Sequence, residues 1–113
     1  MSKDNLVYLR HILDATVRIG EYTEGFSADD FLKNRLVQAG VIRELEIIGE
    51  ATKQISKELK DEYPATPWKK MAGIRDKLIH QYFGVDLKLI WDTVEVEIPV
   101  LKNKIEAILQ FIS

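Results

Sequence analysis

Apolar residues along the chain recur at steps of three and four. Leu6, Leu9, Leu13, Thr16 and Ile19 or Gly20 form one such stripe. Val37, Val41, Leu45, Ile48, Ala51 or Thr52, Ile55 and Leu59 form a second. The clearest is Leu87, Ile90 or Trp91, Val94, Ile98, Leu101, Ile105, Ile108 and Ile112, with Lys88, Asp92, Glu95, Lys102 and Glu106 mostly off that face. This spacing places one apolar stripe on each of several amphipathic helices. Residues 93–96 alternate weakly but sit inside the last stripe, so no strand pattern competes. Pro99 predicts a kink there, because it lacks an N–H and its ring crowds the preceding turn. The breaks fit helix ends. Gly25 precedes Ser27, which with Asp30 three residues later can cap a helix start. Thr66 can cap a helix with Pro67 at its first position, Gly84 marks a helix stop, and Asp86 caps the next start. The pattern predicts an all-α fold, an up-and-down bundle of four main helices plus a short one near Ala28–Lys33.

At 113 residues, without a repeat or a linker-like tract, the chain reads as one domain spanning 1–113. Hydrophobic residues make up 46% and charged residues 30%, an ordinary globular balance. The absence of cysteine excludes a disulfide framework, thiolate metal sites and a cysteine nucleophile. With His11 and His80 the only histidines, a three-histidine metal centre would need a second chain. The apolar run at 36–42 is too short to cross a bilayer, and residues 1–5 lack a signal-peptide core, so a cytoplasmic protein with no membrane partner is expected. A net charge of −2 disfavours broad nucleic-acid coating but permits a local basic patch. Ile42 and Ile47 widen the second stripe, which suits either self-association or a helix buried on most sides.

Candidate chemistry is sparse. The acids Asp29/Asp30, Asp61/Glu62 and Glu44/Glu46 point apart on a helix and read as solvated faces. Gly40 and Gly49 lie within a helical pattern without a phosphate-loop Lys-Ser/Thr, so they read as sites of close helix packing. His11 reads as a surface or partly packed residue.

Residues 68–86, WKKMAGIRDKLIHQYFGVD, are different. From Lys69 to Lys77 the segment carries a net +3. Asp76 and His80 are four apart and share a helix face, and Arg75 shares another face with Tyr82. Arg75 and His80 are about 140° apart around one helix. A bend, the reach of long side chains or a second copy across a two-fold axis could bring them together.

Arg75-Asp76-Lys77-Leu78-Ile79-His80-Gln81-Tyr82 resembles the Arg-x4-His-x-Tyr motif of HepT-like toxins in the HEPN superfamily. VIRELEIIGEA at 41–51, Pro67-Trp68, Gly73-Ile74-Arg75, HQYFGVD at 80–86 and Ile90-Trp91 also resemble their family counterparts, in order. Asp76 stands where many members carry Asn. The resemblance implies a HEPN-like bundle, a homodimer, and a metal-independent endoribonuclease that needs no cofactor and cleaves RNA such as tRNA or mRNA to a 2′,3′-cyclic phosphate. It implies the toxin role in a type VII system, with an MNT-type nucleotidyltransferase antitoxin as partner. Arg75 and His80 would then be catalytic, Asp76 would orient His80 or hold Arg75, and Tyr82 would be the site of adenylylation. Lys69, Lys70 and Lys77 would meet RNA phosphates. Two other readings remain open: a catalytically weak module that binds nucleotide or the partner, and a helical adaptor in which Arg75 and His80 belong to an internal hydrogen-bond network.

Overall fold

The computed structural model describes residues 3–80 and 86–112, with the side chains of Lys3, Arg75 and residues 77–80 outside that description. Its first helix, α1 (Lys3–Thr23), puts Leu9, Ile12, Ala15, Thr16 and Ile19 in the core, while Leu6 and Leu13 flank it. The helix ends where Gly25 adopts φ +75°, a left-handed conformation that favours glycine. Ser27 and Asp30 then form the expected capping box of α2 (Ala28–Lys33): the Ser27 hydroxyl accepts the Asp30 N–H and the Asp30 carboxylate accepts the Ser27 N–H. Hydrogen bonding of the Asp30 carboxylate to the Ser27 backbone N–H, and secondarily to the Ser27 side chain, holds this carboxyl below its ordinary pKa. Phe31 buries the inner face of this short helix, and Asn34 caps α3 (Arg35–Gln54) by accepting the Val37 N–H.

The second stripe predicts one helix through Leu59, and the structure breaks it. Ile55 takes extended backbone angles (φ −65°, ψ 136°), and Ser56 starts a new short helix, α4 (Lys57–Glu62), by accepting the Leu59 N–H. Asn5 of α1 fixes the break: its carbonyl accepts the Ser56 N–H at 3.0 Å and its amide donates to the Ser56 hydroxyl at 2.9 Å. Ile55 and Leu59 both stay buried, so the apolar spacing survives although the helix does not.

Helix α5 (Trp68–His80) starts just after the Thr66-Pro67 break, with the Pro67 carbonyl accepting the Met71 N–H at 3.1 Å. Trp68 and Met71 anchor it in the core, and the Trp68 indole donates to the Tyr63 carbonyl. Asp86 caps α6 (Leu87–Asp92) by accepting the Lys88 and Leu89 N–H groups. Thr93–Glu97 form a π turn that leads directly into α7 (Ile98–Ile112). The expected effect of Pro99 takes this form: the backbone widens just before the proline, and the Ile98 N–H reaches back to Thr93 O.

The result is an all-α, HEPN-like bundle. Its four long members are α1, α3, α5 and the continuous α6–π–α7, and the short α4 joins the expected α2. Helix α3 lies centrally, packed on α1 and α5, with α7 against α1 and α2 wedged between α3 and α6. Among the described residues no helix is long and apolar enough to cross a membrane.

Candidate active site

The motif helix α5 is positioned by α3. Trp68 and Met71 set the depth of its first turns, and Asp76 reaches α3 further along, where the Lys53 ammonium lies 2.5 Å from its carboxylate. Arg75 and His80 both fall within α5, His80 as its last residue. The side chains of Arg75, Lys77 and His80 lie outside the described residues, as do Tyr82 and the Gly84 stop. Asp76 is half exposed.

The lysines assigned to RNA phosphates separate into two kinds. Lys69 is exposed to solvent. Lys70 instead donates to Glu97 in the π turn, so the α5 cation is tied to the widened stretch of the last long helix. Lys53 was not among the sequence candidates. It stands 23 residues from Asp76, and no helical spacing links them.

One reading of the acids needs revision. Glu44, expected on a solvated face, is buried at 5% exposure and braces α3 to α1. Arg18 Nε donates to one of its oxygens at 2.8 Å, and the Tyr22 hydroxyl donates to the other at 3.2 Å. The hydrogen bond to Glu44 raises the pKa of Arg18, while burial and the Glu44 charge raise that of Tyr22. Asp30 is exposed, as expected, and completes the capping box of α2 with Ser27. Asp29 and Asp61 are exposed as expected, Asp61 in an i,i+4 pair with Lys57.

The packing role expected of Gly40 is met, since a Cβ there would lie 3.2 Å from the Tyr22 ring. His11 is exposed and stands edge-on to Tyr8, with ring centroids 6.0 Å apart. It lines a groove of about 310 Å³ with Arg43, Glu46 and Glu50. Among the described residues, no three His, Asp or Glu side chains gather as a metal site.

A helical bundle with Arg-x4-His on a helix packed against its central member is a HEPN-type domain. Residues 12–108 match the ribonuclease HepT-like family, and the chain belongs to it. A protein of Thermococcus cleftensis named probable ribonuclease HepT is 47% identical over 106 residues, covering 94% of this chain and 96% of its own. A Caldanaerobacter subterraneus protein with a provisional RNase name is 46% identical over 103 residues, covering 91% and 92%. One from Methanocaldococcus jannaschii, also provisionally named an RNase, is 42% identical over 108 residues, covering 96% and 89%. No solved structure gives a significant match.

Proposed function

We propose that this protein is a metal-independent endoribonuclease and the toxin of a type VII HepT/MNT toxin–antitoxin system. The observation that carries this reading is the family match across 12–108, which encloses Arg75 and His80 on α5. The chemistry suits those residue types. Cleavage needs a base to take the 2′-hydroxyl proton, so that the 2′ oxygen attacks phosphorus. It also needs an acid to protonate the leaving 5′ oxygen, and positive charge on the pentacoordinate phosphorane. The products are a 2′,3′-cyclic phosphate and a 5′-hydroxyl. A histidine near its unperturbed pKa of about 6.5 can serve as base or acid, and the arginine fork can hold two phosphate oxygens. Purified protein given labelled RNA in EDTA should leave the cyclic phosphate. Activity lost in EDTA and restored by magnesium would refute the mechanism.

A two-fold assembly fits the angular separation of Arg75 and His80 on one helix, because a second copy can supply the missing group to each half-site. Large apolar side chains are available for contacts between copies: Leu36 is 84% exposed and Phe111 83%. Light scattering is expected to give twice the chain mass at working concentration, and a monomer there would count against the shared site.

Tyr82 is the proposed off-switch. Its hydroxyl would attack the α-phosphate of ATP on the partner nucleotidyltransferase, forming an AMP ester and releasing pyrophosphate. Each AMP brings a negative charge and a purine to a site that must accept RNA phosphates. Tyr82→Phe keeps the ring and removes the acceptor. That variant should still cleave RNA but escape neutralisation by antitoxin with ATP. Equal neutralisation of wild type and variant, or an AMP mass shift retained in the variant, would remove Tyr82 from this role.

A further inference from the structure

We propose that the groove between α1 and α3 is a subsite for a guanine base of single-stranded RNA. Glu46 reads the edge of the base, Tyr8 stacks on its ring and Arg43 holds a neighbouring phosphate. The inference rests on the ribonuclease reading above, since it names a base the substrate would carry. The groove, about 310 Å³, arises where two helix faces lie side by side. Tyr8 and His11 are one turn apart on α1, and Arg43, Glu46 and Ile47 stand at i, i+3 and i+4 on α3. Ile47 and the buried Ala51 line it with apolar surface. Tyr8 is half-buried against the core and stands edge-on to His11, so its ring is a fixed wall. Arg43 and Glu46 could pair across one turn, yet among the described residues neither enters an ion pair. Both charges stay available to a ligand.

An aromatic wall, an apolar lining and one guanidinium suit a nucleotide of unpaired RNA: the base stacks and the cation meets its phosphate. The carboxylate decides which base. Guanine presents two parallel donors, N1–H and N2–H, that one carboxylate can accept together. Adenine and cytosine place an acceptor beside their single amino donor, and uracil flanks its N–H with two carbonyls. Each of those three sets a lone pair against Glu46, which is a penalty as well as a lost bond. Glu46 is half-buried, whereas Glu50, the other acid of the groove, is exposed. A carboxylate shielded from water discriminates more strongly, so Glu46 is assigned the base. With His11 and Arg43 exposed at the rim, one bidentate contact should favour guanine about tenfold. A protein segment is the less favoured occupant, because Ile47 and Ala51 are the groove's only aliphatic contacts.

The test uses the full chain as wild type, Glu46→Gln, Arg43→Met and Tyr8→Leu, with a thermal midpoint measured on each. Affinity is read with non-cleavable 2′-O-methyl oligouridylates that carry one central guanine, inosine, adenine or cytosine. Wild type should bind the guanine oligomer about tenfold tighter than the adenine and cytosine ones, with inosine, which lacks only the N2 amino group, in between. Glu46→Gln should remove that preference at an unchanged midpoint. Arg43→Met and Tyr8→Leu should weaken all the oligomers alike, and Arg43→Met should also flatten the dependence on salt. Equal affinity of wild type for every oligomer, or a guanine preference that survives in Glu46→Gln, would overturn the proposal. Guanosine monophosphate competing as strongly as the guanine oligomer would overturn it too, by making the groove a free-nucleotide site. So would a change in light-scattering mass in Glu46→Gln without a change in base preference, which marks a protein contact. A Glu46-dependent preference in a protein that cuts no RNA keeps the subsite and ends the ribonuclease reading. Cleavage without such a preference does the reverse, and a protein that neither binds nor cuts ends both.

Discussion

Replacing His80 by alanine is expected to slow RNA cleavage by about 10²-fold or more, the scale of a lost general acid–base group. The chain has two histidines, and His11 stands on α1, in an exposed edge-on pair with Tyr8. His80 is the one at the end of the motif helix. Arg75→Lys should also cut activity sharply, although the charge is kept, because an ammonium cannot reproduce two parallel bonds to phosphate oxygens. Both variants are read against wild type in EDTA, with a thermal midpoint measured on each to separate lost chemistry from lost fold. Undiminished cleavage in His80→Ala would remove this histidine from the mechanism and, with it, the proposed acid–base scheme.

The largest expected effect on stability comes from a small helix. Phe31 is fully buried, and its ring centroid lies 5.3 Å from that of Trp91. The residue joins α2 to α6, two elements more than fifty residues apart in the chain. Its carbonyl also accepts the Gln38 side-chain amide at 2.9 Å, tying the same turn to α3. Phe31→Ala removes the buried ring and leaves a cavity the surrounding helices can only partly close, at a cost of about 3–5 kcal/mol. For a chain of this size the thermal midpoint should fall by more than about 10 °C. Phe31→Leu, which refills most of the volume, should lose much less. Denaturant unfolding of the three proteins checks this, and a loss below about 1 kcal/mol in Phe31→Ala would show that α2 is not held through this ring.

What could be read from the chain and what could not divides by distance along it. The stripes through Leu9, Leu45 and Ile105 are local, set by 3.6 residues per turn, and each of these side chains is in the core. The Ser27/Asp30 box and the Asp86 cap are local too, since each joins atoms two or three residues apart. That Arg75 and His80 share one helix is local in the same way, since they are five residues apart within α5. The break after α3 was invisible because Ile55 and Leu59, four apart, stay on the buried side whether or not the helix continues. It depends on Asn5, 51 residues away from Ser56. The burial of Glu44 depends on Arg18 and Tyr22, 26 and 22 residues distant, and charge pattern alone shows only an acid on a helix. The pairing of Lys53 with Asp76 likewise required α3 and α5 to pack side by side. Apolar spacing and capping chemistry thus determined which segments are helices and where most of them begin. Only the tertiary structure decided which charges meet, because a charged side chain on a helix looks the same in sequence whether its partner is water or a residue brought in from another helix.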